Sequence, residues 1–152
     1  MPPSPSIYKI NFDGATFIDT DSVRLGVVAH DSDGMVIASL SERIKLPPMI
    51  VDLEALACKR AILFALEIGL HDMVFEGDSE VIINHLKADQ PFLIAFGHII
   101  EEARALSGKL RTTSFSHTRR KGNNVADKLA KNNILFTHKC GWRIFIAMQC
   151  NL

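Results

Sequence analysis

Residues 24–44, RLGVVAHDSDGMVIASLSERI, constrain the fold more than any other stretch of the chain. Two runs of β-branched and small apolar residues flank DSDG, a turn signal, so the segment folds back on itself as two antiparallel strands. Ahead of it, IYKINF (7–12) alternates apolar and polar residues and supplies a third strand of the same meander. KLPP then ends the pattern, because Pro47 and Pro48 deny the chain a helical or central-strand continuation. From Val51 to Gly69 the sequence turns Ala- and Leu-rich, VDLEALACKRAILFALEIG. This predicts a helix with Gly69 as its C-cap and with Leu53, Ala57, Ala61 and Phe64 on one buried stripe.

The remaining elements follow in the same way. DMVFEG (72–77) is a buried strand, and DSEVIINHLKA (78–88) opens a helix whose first turn carries Asp78, Ser79 and Glu80. Pro91 breaks the chain before LIAFGHIIEEARALSGK, a helix ending near Ser107-Gly108. LRTTSFSHT is a Thr/Ser-rich strand, and NVADKLAKNNILF is a final helix. The order βββαβααβα describes an α/β domain over residues 7–137. The Pro/Ser-rich MPPSPS (1–6) is a flexible lead-in. Residues 138–152, apolar without a clear period, are an extension that packs on the body or adds a strand.

A chain of 152 residues fits one domain with a single core, and no stretch approaches the roughly 20 apolar residues of a membrane span. Three cysteines (Cys58, Cys140, Cys150) without a CxxC pair suggest neither a disulfide framework nor a zinc site. With no signal-peptide layout at the start, the expectation is an intracellular monomer, in nucleus or cytoplasm, with no membrane partner. The formal net charge of +0 hides an asymmetry, because residues 104–152 hold ten of the 17 Lys/Arg and one of the 17 Asp/Glu. Either the two parts neutralise one another in the fold, or the basic third is a surface for a polyanion beside an acidic site that needs cations.

Four acids sit where hydrophobic elements begin or end. Asp13 is expected to close the first strand, Glu54 lies early in the long helix, Asp78 joins a strand to its helix, and Asp127 lies early in the last helix. Each has a bland explanation as a cap, a first-turn acid or a turn former beside Gly14. Together they suggest more. If the first and fourth strands are neighbours, Asp13 and Asp78 come side by side, with helices delivering Glu54 and Asp127. Gathered carboxylates repel unless their pKa values rise or hard cations bind, and oxygen donors suit Mg²⁺ or Mn²⁺. A two-metal site of this kind, with ions roughly 3.5–4 Å apart, serves in-line displacement at phosphorus.

The most specific stretch is SHTRRKGNNVADKLAK (116–131), where His117 stands ten residues before Asp127 across a loop carrying Arg119, Arg120, Lys121, Asn123 and Asn124. With NFDGAT, LEALACKRAI and FEGDSE in this order, the chain resembles type 1 ribonuclease H over roughly residues 7 to 136. More narrowly, it looks like the plant ribonuclease H-like proteins related to the reverse-transcriptase-associated domain.

The resemblance implies a five-stranded mixed sheet, three antiparallel strands then two parallel ones, flanked by helices. It implies that Asp13, Glu54, Asp78 and Asp127 hold two Mg²⁺ ions (Mn²⁺ as a substitute) and that His117 aids proton transfer or product release. The basic loop, with Arg119, Arg120, Lys121, Asn123 and Asn124, would contact the nucleic-acid backbone. The implied activity is endonucleolytic hydrolysis of the RNA strand of RNA/DNA hybrids. Ile50, Val51 and Asp52 stand where the family often has small polar residues. They motivate an alternative, a domesticated domain, weak or inactive as a catalyst, that binds nucleic acid or a protein partner.

Overall fold

The computed structural model describes residues 7–45, 53–88, 97–124 and 146–150. Three strands lead: β1 (Tyr8–Phe17), β2 (Ser22–His30) and β3 (Val36–Lys45). The β2–β3 turn forms at DSDG as its chemistry demands: the Asp31 carboxylate accepts from the N–H groups of Asp33 and Met35, both at 2.9 Å, and Gly34 takes φ +81. Helix α1 (Leu53–Glu67) follows and ends at Gly69, φ +77. Leu70 N–H reaches the Ala65 carbonyl and Gly69 N–H that of Leu66, the paired bonds of a Schellman motif. Then come β4 (Asp72–Gly77), α2 (Glu80–Lys87), α3 (Gly97–Ser107) and β5 (Thr112–His117).

The sheet runs β5-β4-β1-β2-β3, antiparallel across β1, β2 and β3 and parallel across β1, β4 and β5. This is the expected five-stranded mixed sheet. A sixth strand, β6 (Ile146–Cys150), lies parallel to β3 at the far edge, so the extension supplies a strand. The core fills the space between sheet and helices, with Ile10, Phe12, Met73 and Phe75 meeting Ala57, Ala61, Ile62 and Phe64 of α1. Alanines four apart at 57, 61 and 65 are fully buried and let α1 lie close on the sheet.

One boundary differs from expectation. Asp13 does not close β1, because pairing with β2 continues to Phe17↔Ser22. Asp-Gly reads locally as a turn, but the ladder with β2 overrides that preference. What ends near Asp13 is the other ladder: β1 pairs with β4 only from Tyr8↔Met73 to Asn11↔Glu76. The two central strands part there, and Asp13 and Asp78 flank the opening.

Candidate metal centre

Each acid is delivered by a separate local device. Asp13 is buried at the fork, and its carboxylate accepts from the Gly14 N–H at 2.9 Å. Gly14 makes a close approach here: a Cβ on it would lie 3.2 Å from the Leu53 carbonyl oxygen and 3.3 Å from Leu53 Cβ, a tight contact. The missing side chain lets the start of α1 approach β1, which brings Glu54, in the first turn of that helix, to Asp13. Asp78 follows β4 and is not the N-cap of α2. Ser79 has that role, its hydroxyl accepting from Ile82 N–H at 3.4 Å, so the Asp78 carboxylate is left for the site.

Asp13, Glu54 and Asp78 each offer an oxygen, and the three oxygens lie within 4.8 Å of one another. Burial pushes the Glu54 carboxyl up to about 10, reinforced by a hydrogen bond from it to Asp13 and by the charges of Asp13 and Asp78, with the Gly14 N–H offsetting part of the rise. Three clustered carboxylates repel one another, and either a proton or a cation relieves that repulsion. The donor set, all hard oxygen with no thiol or imidazole among the three, fits Mg²⁺ or Mn²⁺.

The other expected residues fall into four groups. His117 ends β5, paired with Gly77, and its Nε2 stands 3.2 Å from the Asp78 carbonyl oxygen with the ring exposed. Arg119, Lys121 and Asn124 are exposed on the loop that follows, and Arg120 begins its 3₁₀ turn, Arg120–Asn123. Asn123 faces inward and is fully buried, its Nδ2 donating to the Phe12 carbonyl at 2.8 Å and its Oδ1 accepting from Asn11 Nδ2 at 3.1 Å. Its amide anchors the loop instead of facing solvent. Asp127, and with it Ile50, Val51 and Asp52, lie outside the described residues.

Sequence reasoning did not single out Asn11 or Gly77. Asn11 alternates with core residues and so reads as a solvent-facing strand position, yet it is buried. It donates to Asn123 and also to Glu76 Oε2 at 3.3 Å. A Cβ on Gly77 would come within 2.7 Å of Phe12 Cζ, so the ring of the residue before Asp13 rests on the residue before Asp78. A glycine directly ahead of the acid was the only local signal.

The chain matches the model of a family described as reverse transcriptase-like over residues 11–133. No curated protein matches it by sequence. Among solved structures, ribonuclease H1 from the archaeon Halobacterium salinarum is 24% identical with a TM-score of 0.71, the match covering 82% of this chain and 94% of that one. The N-terminal ribonuclease H domain of a Mycobacterium tuberculosis protein is 20% identical with a TM-score of 0.65, covering 83% and 91%. LC11 ribonuclease H1, solved in complex with an RNA/DNA hybrid, is 22% identical with a TM-score of 0.61, covering 82% and 92%. At these identities the structures speak to the fold, which they share.

Proposed function

The chain belongs to the reverse transcriptase-like family, within the type 1 ribonuclease H group, and on that premise we propose that it is a metal-dependent endonuclease cutting the RNA strand of RNA/DNA hybrids. The observation that carries the reading is the convergence of Asp13, Glu54 and Asp78 at the fork between β1 and β4.

In this reading Asp13, Glu54 and Asp78 hold the cations, with Asp127 as a fourth ligand. Two Mg²⁺ or Mn²⁺ ions held there would supply an activated water and would neutralise charge at the scissile phosphate. The protein's part is to hold the acids rigidly: Asp13 stands in β1, Glu54 in the first turn of α1 and Asp78 just past β4. Glu54 would hold a cation as the ionised carboxylate, the form in which it is a ligand. His117, exposed beside the Asp78 carbonyl, carries a proton between the site and solvent. Arg119, Arg120, Lys121 and Asn124 hold the nucleic-acid backbone, which fixes register without reading sequence.

The test is incubation of the protein with an end-labelled RNA/DNA hybrid, single-stranded RNA, duplex RNA and duplex DNA, each with Mg²⁺, Mn²⁺ or EDTA. Internal cuts confined to the RNA of the hybrid and abolished by EDTA are expected. A folded protein that binds the hybrid and leaves every substrate intact would instead identify a binding module.

A further inference from the structure

The basic loop and the acidic fork are joined by one buried side chain. Beyond Asn11↔Glu76 the β1–β4 ladder stops, and at that point the amide of Asn123 enters. Its Nδ2 donates to the Phe12 carbonyl at 2.8 Å, which belongs to the peptide linking Phe12 to Asp13. Its Oδ1 accepts from Asn11, whose amide also reaches Glu76, two residues before Asp78. Asn123 therefore takes up a backbone acceptor where β4 ceases to pair with β1, and it is tied to both strands just ahead of their acids. The amide is fully buried, and a buried polar group left without its partner is costly, so the arrangement is specified and not incidental.

We infer that Asn123 is a positioning residue that fixes the Asp13 peptide, and with it the cation-binding geometry of the fork, while docking the loop that carries Arg119 and Lys121. The inference rests on the cation-binding role proposed for Asp13, Glu54 and Asp78. It gives Asn123 a task in the site without contact with the nucleic acid. Outer partners that orient metal ligands carry on the order of 10–100-fold in metal affinity, and Asn123 acts one peptide away from such a ligand.

The experiment is calorimetric titration of Mg²⁺ into the full chain and two variants, Asn123→Ala and Asn123→Asp, with Ile100→Val, a buried residue of α3, as a comparator for lost stability. Asn123→Asp keeps the shape and can still accept from Asn11, but an ionised carboxylate cannot donate to the Phe12 carbonyl. Its added negative charge alone would tighten Mg²⁺ binding, so weakening reports the lost donor. The expected result is Mg²⁺ affinity at least about tenfold weaker in both Asn123 variants and unchanged in Ile100→Val. Affinity within twofold of the parent in Asn123→Ala, or tighter binding in Asn123→Asp, would overturn the inference. If the parent binds Mg²⁺ but cuts no hybrid, the proposed activity fails while this comparison still decides the role of Asn123. A parent that binds no Mg²⁺ overturns both.

Discussion

Strand β4 begins with one aspartate and is followed directly by another, and the two have opposite fates. Asp72, at its start, is held by the Arg111 guanidinium, with Nε at 2.9 Å, and by the Thr112 hydroxyl at 2.9 Å. These bonds lower its pKa to about 2. Asp78, just past the other end, is grouped with Asp13 and Glu54, and there the Glu54 carboxyl is driven up. Other acids follow the pattern of Asp72: Glu76 faces Lys9, Glu102 faces Lys59 and Glu42 faces Arg60. With Glu67 and Glu101, six acids among the described residues are paired with basic side chains. At the fork the fold gathers carboxylates with one another, an arrangement that favours a cation from outside.

Exchanging charge for amide at the two places breaks the comparison most sharply. Asp13→Asn should cut Mg²⁺-dependent hybrid cleavage by more than about 100-fold, beyond what outer partners of metal ligands carry. It should also leave the metal-free melting temperature equal or higher, since repulsion is relieved. Asp72→Asn should do the reverse, lowering the melting temperature and sparing the cleavage rate. Thermal melts beside initial rates check both, and parallel loss of activity in the two variants would erase the distinction.

The two regions should also titrate in opposite senses. Glu54 keeps its proton in the fold but loses it in the unfolded chain above its ordinary value of 4.5. Its contribution to metal-free stability is therefore full below that pH, declines as pH rises and is spent by about pH 10. Asp72, whose folded pKa is lowered from 3.8, contributes above that pH and loses the contribution as pH falls toward about 2. Denaturant melts in EDTA should show Glu54→Gln flattening the alkaline decline and Asp72→Asn flattening the acid one. Mg²⁺ should stabilise the parent increasingly toward alkaline pH, because binding favours the ionised carboxylates.

The smallest effect belongs to the loop. Arg119→Ala and Lys121→Ala should each weaken hybrid binding and reduce the slope of log affinity against log salt by about one, provided each neutralises one phosphate. An unchanged slope would place that side chain off the backbone.

How much of this was legible depended on whether the determinant was local. The DSDG turn, the Gly69 cap and the Ala-rich face of α1 are written within a few residues and read correctly. The continuation of β1 through Asp13-Gly14 was not, since the local turn preference loses to a ladder made with β2. Ser79, not Asp78, capping α2 is a choice between adjacent competent side chains that only the backbone decides. The burial of Asn123 involves Asn11, a partner 112 residues away, so Asn123 was grouped with the loop residues expected to contact the nucleic-acid backbone. Of the four acids, the structure brings together Asp13, Glu54 and Asp78; their order along the chain was visible, but their convergence required knowing that β1 and β4 are neighbours.

The central claim is that the carboxylates at the fork make a cation-dependent nuclease site. Its most direct test is the rate of hybrid cleavage in Mg²⁺ by the parent chain and by Asp78→Asn, with circular dichroism confirming that both are folded. The account predicts internal cuts in the RNA strand by the parent and none above the EDTA background by the variant. Equal cleavage by both would contradict it.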